Sequence, residues 1–93
     1  MTERRIVITG MGAVTPLGLS VDETWAAMRE GRSGVRLVEN FDTSEVQARV
    51  AGQVRDFDPA PYFKKDPKAP RRCDRFEQLA MAAAAQAVED AAL

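Results

Sequence analysis

The sequence predicts an α/β fold, and of that fold an opening order of strand, helix, strands and helix. Three observations predict it. A β-branched run near the amino terminus, Arg4 to Thr9, is closed by Gly10. A capped amphipathic segment lies between Ser20 and Gly31, and an alanine-rich segment with helical spacing runs from about Pro70 to Asp90. Strand and helix signals alternating in this order mark an α/β chain.

Each element has a local reason. Ile6-Val7-Ile8 is apolar on both faces of a strand, as in the interior of a parallel sheet. The loop from Gly10 to Gly18 follows, where Pro16 disfavours helix at Thr15. Ser20 with Glu23 three residues on forms a capping box, Val21, Trp25 and Met28 supply a buried stripe, and Gly31 ends the helix in a left-handed conformation. Val35 to Val38 reads as a short strand, Phe41 to Ser44 as a turn, and Ala48 to Val54 as a further strand. Pro59, Pro61, Pro67 and Pro70 then interrupt regular structure. In the final helix Pro70 is tolerated in the first turn, and Phe76, Leu79, Ala80, Ala83 and Ala87 share one face. With so many alanines, this helix is expected to be approached closely by a neighbour. Leu93 follows it with no glycine cap and no covering strand, so residues 1–93 read as a fragment with no complete domain.

Composition narrows the function. A chain of 93 residues holds at most one small domain. A net charge of −1 argues against a dedicated nucleic-acid binder and against disorder. The three apolar residues near the amino terminus are too few for a signal peptide or membrane span. A single cysteine, Cys73, fits a reducing compartment, and the expected location is cytoplasmic. There is no histidine, so no Cys-His pair and no histidine-ligated metal site is available within the chain, and no cofactor is expected.

Two features invite catalytic readings. Gly10-Met11-Gly12 after a strand resembles the start of a dinucleotide fingerprint, but Thr15 stands where its third small residue belongs and Pro16 delays the helix. A structural turn is the better reading. Cys73 lies near a helix start beside Arg72 and Arg75, an arrangement that lowers thiol pKa values. With no histidine to take its proton, it reads as a packing residue.

The concentrated charge lies in Lys64 to Arg75. It holds six cations and two anions, leaving seven cations and twelve anions in the rest of the chain. Cations at a helix N-terminus oppose the macrodipole, so an acidic partner accounts for them better than stability does, while a solvated loop remains the plain alternative. No aromatic residues interleave to stack bases, which weighs against nucleic acid.

Three stretches together resemble the β-ketoacyl-acyl-carrier-protein synthases of type II fatty-acid synthesis, the elongating kind above all. They are Arg4 to Gly18; Trp25 with Gly31-Arg32-Ser33-Gly34-Val35 and Phe41-Asp42; and Arg71-Arg72-Cys73-Asp74-Arg75-Phe76 ahead of the helix ending Glu89-Asp90-Ala91-Ala92-Leu93. Cys73 replaces the family's usual methionine, Ala92 its usual glycine, and Pro67 and Pro70 interrupt a stretch that is often helical. The resemblance implies a thiolase-like fold of five αβαβα layers, with residues 1–93 opening the first half, and a homodimer. It implies decarboxylative Claisen condensation of malonyl-carrier protein with an acyl-enzyme thioester, on a cysteine and two histidines that all lie beyond this chain, so no catalytic residue is expected here. It further implies that Lys68, Arg71 and Arg72, with Lys64 and Lys65 as additions, contact acyl-carrier protein. A type II polyketide ketosynthase or its inactive chain-length partner shares this opening. A stand-alone module binding an acidic partner is the alternative from another class.

Overall fold

A computed structural model describes residues 3–93. Two α-helices, a two-stranded hairpin and two 3₁₀ turns follow one another as α1 (Val21–Arg29), β1 (Val35–Leu37), β2 (Val50–Gly52), 3₁₀ turns at Ala60–Tyr62 and Ala69–Arg72, and α2 (Arg75–Asp90).

Both ends of α1 follow from sequence. Ser20 Oγ accepts from the Glu23 amide at 3.2 Å, and the Glu23 carboxylate accepts from the Leu19 amide at 2.8 Å, one residue before the cap. At the other end Gly31 has φ of 72°; its amide bonds the Met28 carbonyl at 3.0 Å and the Arg32 amide bonds that of Ala27 at 3.0 Å. Those two bonds form a Schellman motif and satisfy carbonyls that the helix end would leave open. The expected stripe is not the buried one. Ala27 is buried and Thr24 half-buried, whereas Trp25 and Met28 are exposed. The Thr15-to-Gly18 turn lies against α1, the Thr15 hydroxyl meeting that of Thr24 at 2.9 Å.

The amino-terminal run departs from expectation. Residues 3–14 form no strand ladder, and Ile8 is 82% exposed. A strand is defined by partners for its N–H and C=O groups, and among the described residues no backbone pairs with Arg4 to Thr9. After it, Thr15 to Gly18 closes a turn with paired backbone bonds of 2.8 and 3.2 Å, Pro16 holding the second position.

The hairpin bears out two expected strands, each shorter than expected. Val35, Arg36 and Leu37 face Gly52, Ala51 and Val50 in antiparallel register. Arg55 braces it from beneath: its side chain is 11% exposed, donates to the Leu37 and Gln53 carbonyls at 3.1 and 3.3 Å, and pairs with Glu39 at 3.1 Å. In the connection Asp42 Oδ1 accepts from the Ser44 amide at 2.9 Å, forming the expected turn.

The final helix starts later than its composition predicts. Residues Ala69–Arg72 form a separate 3₁₀ turn, Cys73 is extended at φ −106° and ψ 141°, and α2 begins at Arg75 behind an Asp74–Glu77 capping box. Ala82 is fully buried, with Leu79, Ala83, Gln86 and Ala87 half-buried beside it, while Phe76 and Ala80 face out. The alanines do what small residues on a helix allow. A Cβ on Gly10 or Gly12 would fall 2.4 Å from the Ala87 carbonyl oxygen or 1.9 Å from that of Ala83, so the glycine loop lies against the helix backbone. Met11 N to Asp90 (3.0 Å) and Ala13 N to Gln86 (3.2 Å) hold it there. Among the described residues only Ala27 and Ala82 are buried apolar side chains, and the Cα radius of gyration is 16.7 Å. A compact chain of this length has roughly 12 Å.

Candidate functional site

The basic segment sits between two anchored ends. At its start Tyr62 stacks on Phe57 with ring centres 6.2 Å apart, and its hydroxyl accepts from Gln86 on α2 at 3.2 Å. At its end Gln78 of α2 donates to the Pro70 carbonyl at 2.8 Å, and the Arg75 guanidinium lies 5.0 Å from the centre of the Phe57 ring. The chain between these anchors advances by i→i+3 turns, with bonds from Asp66 N to Phe63 O (3.1 Å), Ala69 N to Asp66 O (3.0 Å) and Arg71 N to Lys68 O (3.2 Å). Prolines 67 and 70 suit such turns, since each fixes φ and needs no amide partner.

All five expected contact residues, Lys64, Lys65, Lys68, Arg71 and Arg72, lie on this exposed turn-rich segment. Lys68 and Arg71 are one turn apart, three residues being one 3₁₀ turn. Among the described residues Lys64, Lys65, Lys68 and Arg71 have no ion-pair partner, while Arg72 pairs with Asp66. The placement alters one argument from sequence. Arg71 and Arg72 lie in a separate 3₁₀ turn that Lys68 begins, and so stand outside the first turn of α2, which is capped by Asp74 and carries Glu77. Exposure and, for all but Arg72, the lack of a counter-ion among the described residues are what distinguish these cations.

Cys73 is a half-buried free thiol in the extended link before the Asp74 cap, not on the first turn of α2. Among the described residues no three His, Cys, Asp or Glu side chains gather as a metal site, and no helix is long and apolar enough to cross a membrane. Three residues that shape this turn were not singled out by sequence. Asp66, which pairs with Arg72, was signalled by Asp-Pro, a turn-initiating dipeptide. Tyr62 and Gln78, which anchor the turn, carried no local signal, because their roles depend on where α2 passes.

Comparison with known proteins places this geometry in context. Residues 3–93 match the family described as the β-ketoacyl synthase N-terminal domain. The 3-oxoacyl-[acyl-carrier-protein] synthase 2 of Coxiella burnetii is 47% identical over 93 residues, and that of Vibrio harveyi 43% over 93. Each match takes in 100% of this chain and 22% of the relative, so the chain spans less than a quarter of their length. Among solved structures, the ishigamide ketosynthase/chain length factor superposes with a TM-score of 0.86 at 39% identity, over 99% of this chain and 22% of its own. The α/β, thiolase-like fold expected from sequence is therefore the fold this chain shares with a ketosynthase.

Proposed function

Because the chain belongs to the β-ketoacyl synthase family, matching its N-terminal domain across residues 3–93, we propose that it is the opening of a 3-oxoacyl-[acyl-carrier-protein] synthase of fatty-acid elongation. The relatives that carry that name align with the full chain. In this reading residues 1–93 begin the first of two thiolase-like halves and form no complete domain. The finished enzyme is a cytoplasmic homodimer. Its nucleophilic cysteine takes the acyl group from acyl-carrier protein, the carrier thiol leaving. Malonyl-carrier protein then loses carbon dioxide, and the resulting carbanion attacks the acyl thioester and expels the enzyme thiolate. That cysteine and its two assisting histidines lie outside residues 1–93.

The part played by these residues is recognition of the carrier protein, and one observation carries it: an exposed turn with five cations, four of them without a counter-ion among the described residues. Such a patch speeds encounter with an acidic partner and sets its docking orientation. Reversing both charges in Arg71→Glu/Arg72→Glu is expected to raise KM for acyl-carrier protein about tenfold or more at low salt with kcat little changed. An unchanged KM at low salt refutes the docking role.

The likeness to the ishigamide ketosynthase/chain length factor favours a second reading, a type II polyketide ketosynthase or its chain-length partner. Incubation of the complete protein with radiolabelled acyl-carrier protein separates part of this. A covalent acyl-enzyme excludes the inactive partner, and its absence excludes a condensing enzyme.

A further inference from the structure

Asp66 is an anion at the centre of the most cationic stretch of the chain. Its two carboxylate oxygens serve different ends of the turn: Oδ1 accepts from the Lys68 amide at 3.2 Å, and Oδ2 pairs with the Arg72 guanidinium. Both side chains are more than half exposed, at 67% for Arg72 and 52% for Asp66. An ion pair so exposed adds little to stability, and the Lys68 amide needs only a side-chain oxygen, which asparagine also has. Folding therefore does not account for the charge.

Toward an acidic partner the same charge acts twice. It lowers the net charge of residues 64–72, which hold five cations and this one anion. It also occupies the guanidinium that would otherwise fork onto a carboxylate of the partner. We infer that Asp66 is an intramolecular competitor that withholds Arg72 from the carrier protein, so that docking begins on the unpaired Lys68 and Arg71 and is completed when a carrier carboxylate displaces Asp66. This inference rests on the reading of residues 64–72 as the carrier-protein surface. It assigns Asp66 to the tuning of affinity; the acyl group and the chemistry are untouched by it.

Asp66→Asn in the complete enzyme removes the charge and keeps the oxygen that accepts from Lys68. KM for acyl-carrier protein is expected to fall about two- to fivefold at low salt with kcat unchanged, and the gain to fade near 0.5 M salt, where the screening length is only about 4 Å. In an Arg72→Gln background the gain from Asp66→Asn shrinks to less than half, because the withheld group is gone. An unchanged or raised KM overturns the inference, as does an equal gain with and without Arg72. A raised KM with a lowered unfolding midpoint assigns Asp66 to the fold instead. Arg71→Glu, measured in parallel, separates the two levels. If it raises KM while Asp66→Asn does not lower it, only the competitor role fails; if it changes nothing, the docking surface itself is wrong.

Discussion

Gly12→Ala tests how the amino-terminal loop is seated. Gly12 lies where that loop crosses α2, and a methyl group there would stand 1.9 Å from the Ala83 carbonyl oxygen and 2.8 Å from both Ala87 N and Gln86 Cβ. Nonbonded carbons settle at about 3.5–4.0 Å, so loop and helix must part by roughly 1 Å or more. Two of the three obstructing atoms are helix backbone and cannot rotate aside. Parting them stretches the flanking bonds, Met11 N to Asp90 at 3.0 Å and Ala13 N to Gln86 at 3.2 Å, toward the edge of bonding range. Overpacking costs about 1–3 kcal/mol, and each weakened hydrogen bond up to about 1 kcal/mol, less at exposed Met11. The expected loss is about 2–4 kcal/mol, a large share of the roughly 5–15 kcal/mol that holds a domain folded. Urea unfolding of the complete enzyme, followed by far-ultraviolet circular dichroism, reads it as a lowered midpoint. Gly31→Ala is the control. It adds the same methyl group at φ 72° with nothing within 4 Å, so it meets only backbone strain of about 1 kcal/mol. If Gly12→Ala costs no more than Gly31→Ala, the loop is not packed on α2.

Gln86→Leu removes one side chain that bonds Ala13 N (3.2 Å), Leu19 O (2.8 Å) and the Tyr62 hydroxyl (3.2 Å), and is expected to lower stability by about 2–4 kcal/mol in the same urea assay. Asp42 is fully exposed, and bonds from the Ser44 amide and then the Ser44 hydroxyl hold its pKa below the ordinary 3.8. Because the folded value is the lower one, its contribution to the turn is complete above the unfolded pKa and is lost as pH falls through the folded pKa; carbon-13 titration of its carboxyl should place the midpoint below 3.8, and Ser44→Ala should move it upward. The isolated 93-residue chain should melt without a cooperative transition, since its described residues bury only Ala27 and Ala82 as apolar side chains. A sharp calorimetric peak would contradict its reading as part of a larger layered unit.

Local chemistry was legible from sequence wherever the physical cause is local. The Ser20 cap, the left-handed Gly31 and the Asp42–Ser44 turn all depend on residues a few positions apart, and all are present; the two short strands were legible from their own composition. The start of α2 is also written locally, in Asp74 and Glu77, but helical spacing and a proline acceptable in a first turn set the expected start at Pro70, five residues before Arg75. The exposure of Lys64, Lys65, Lys68, Arg71 and Arg72 likewise followed from their charge.

What sequence could not determine is which faces are covered. Trp25, Met28 and Phe76 have the spacing of buried stripes yet stand exposed, because burial needs a second surface and periodicity names only one. Ile6 to Ile8 has strand composition, but a strand also needs neighbours, and these come from elements distant in the chain. Tertiary structure alone decided that Gly10 and Gly12 lie on the alanine face of α2, that Gln86 ties three segments together, and that Asp66 reaches Arg72 within the basic turn. Each of these turns on distances in space between segments, which the order of residues along the chain does not contain.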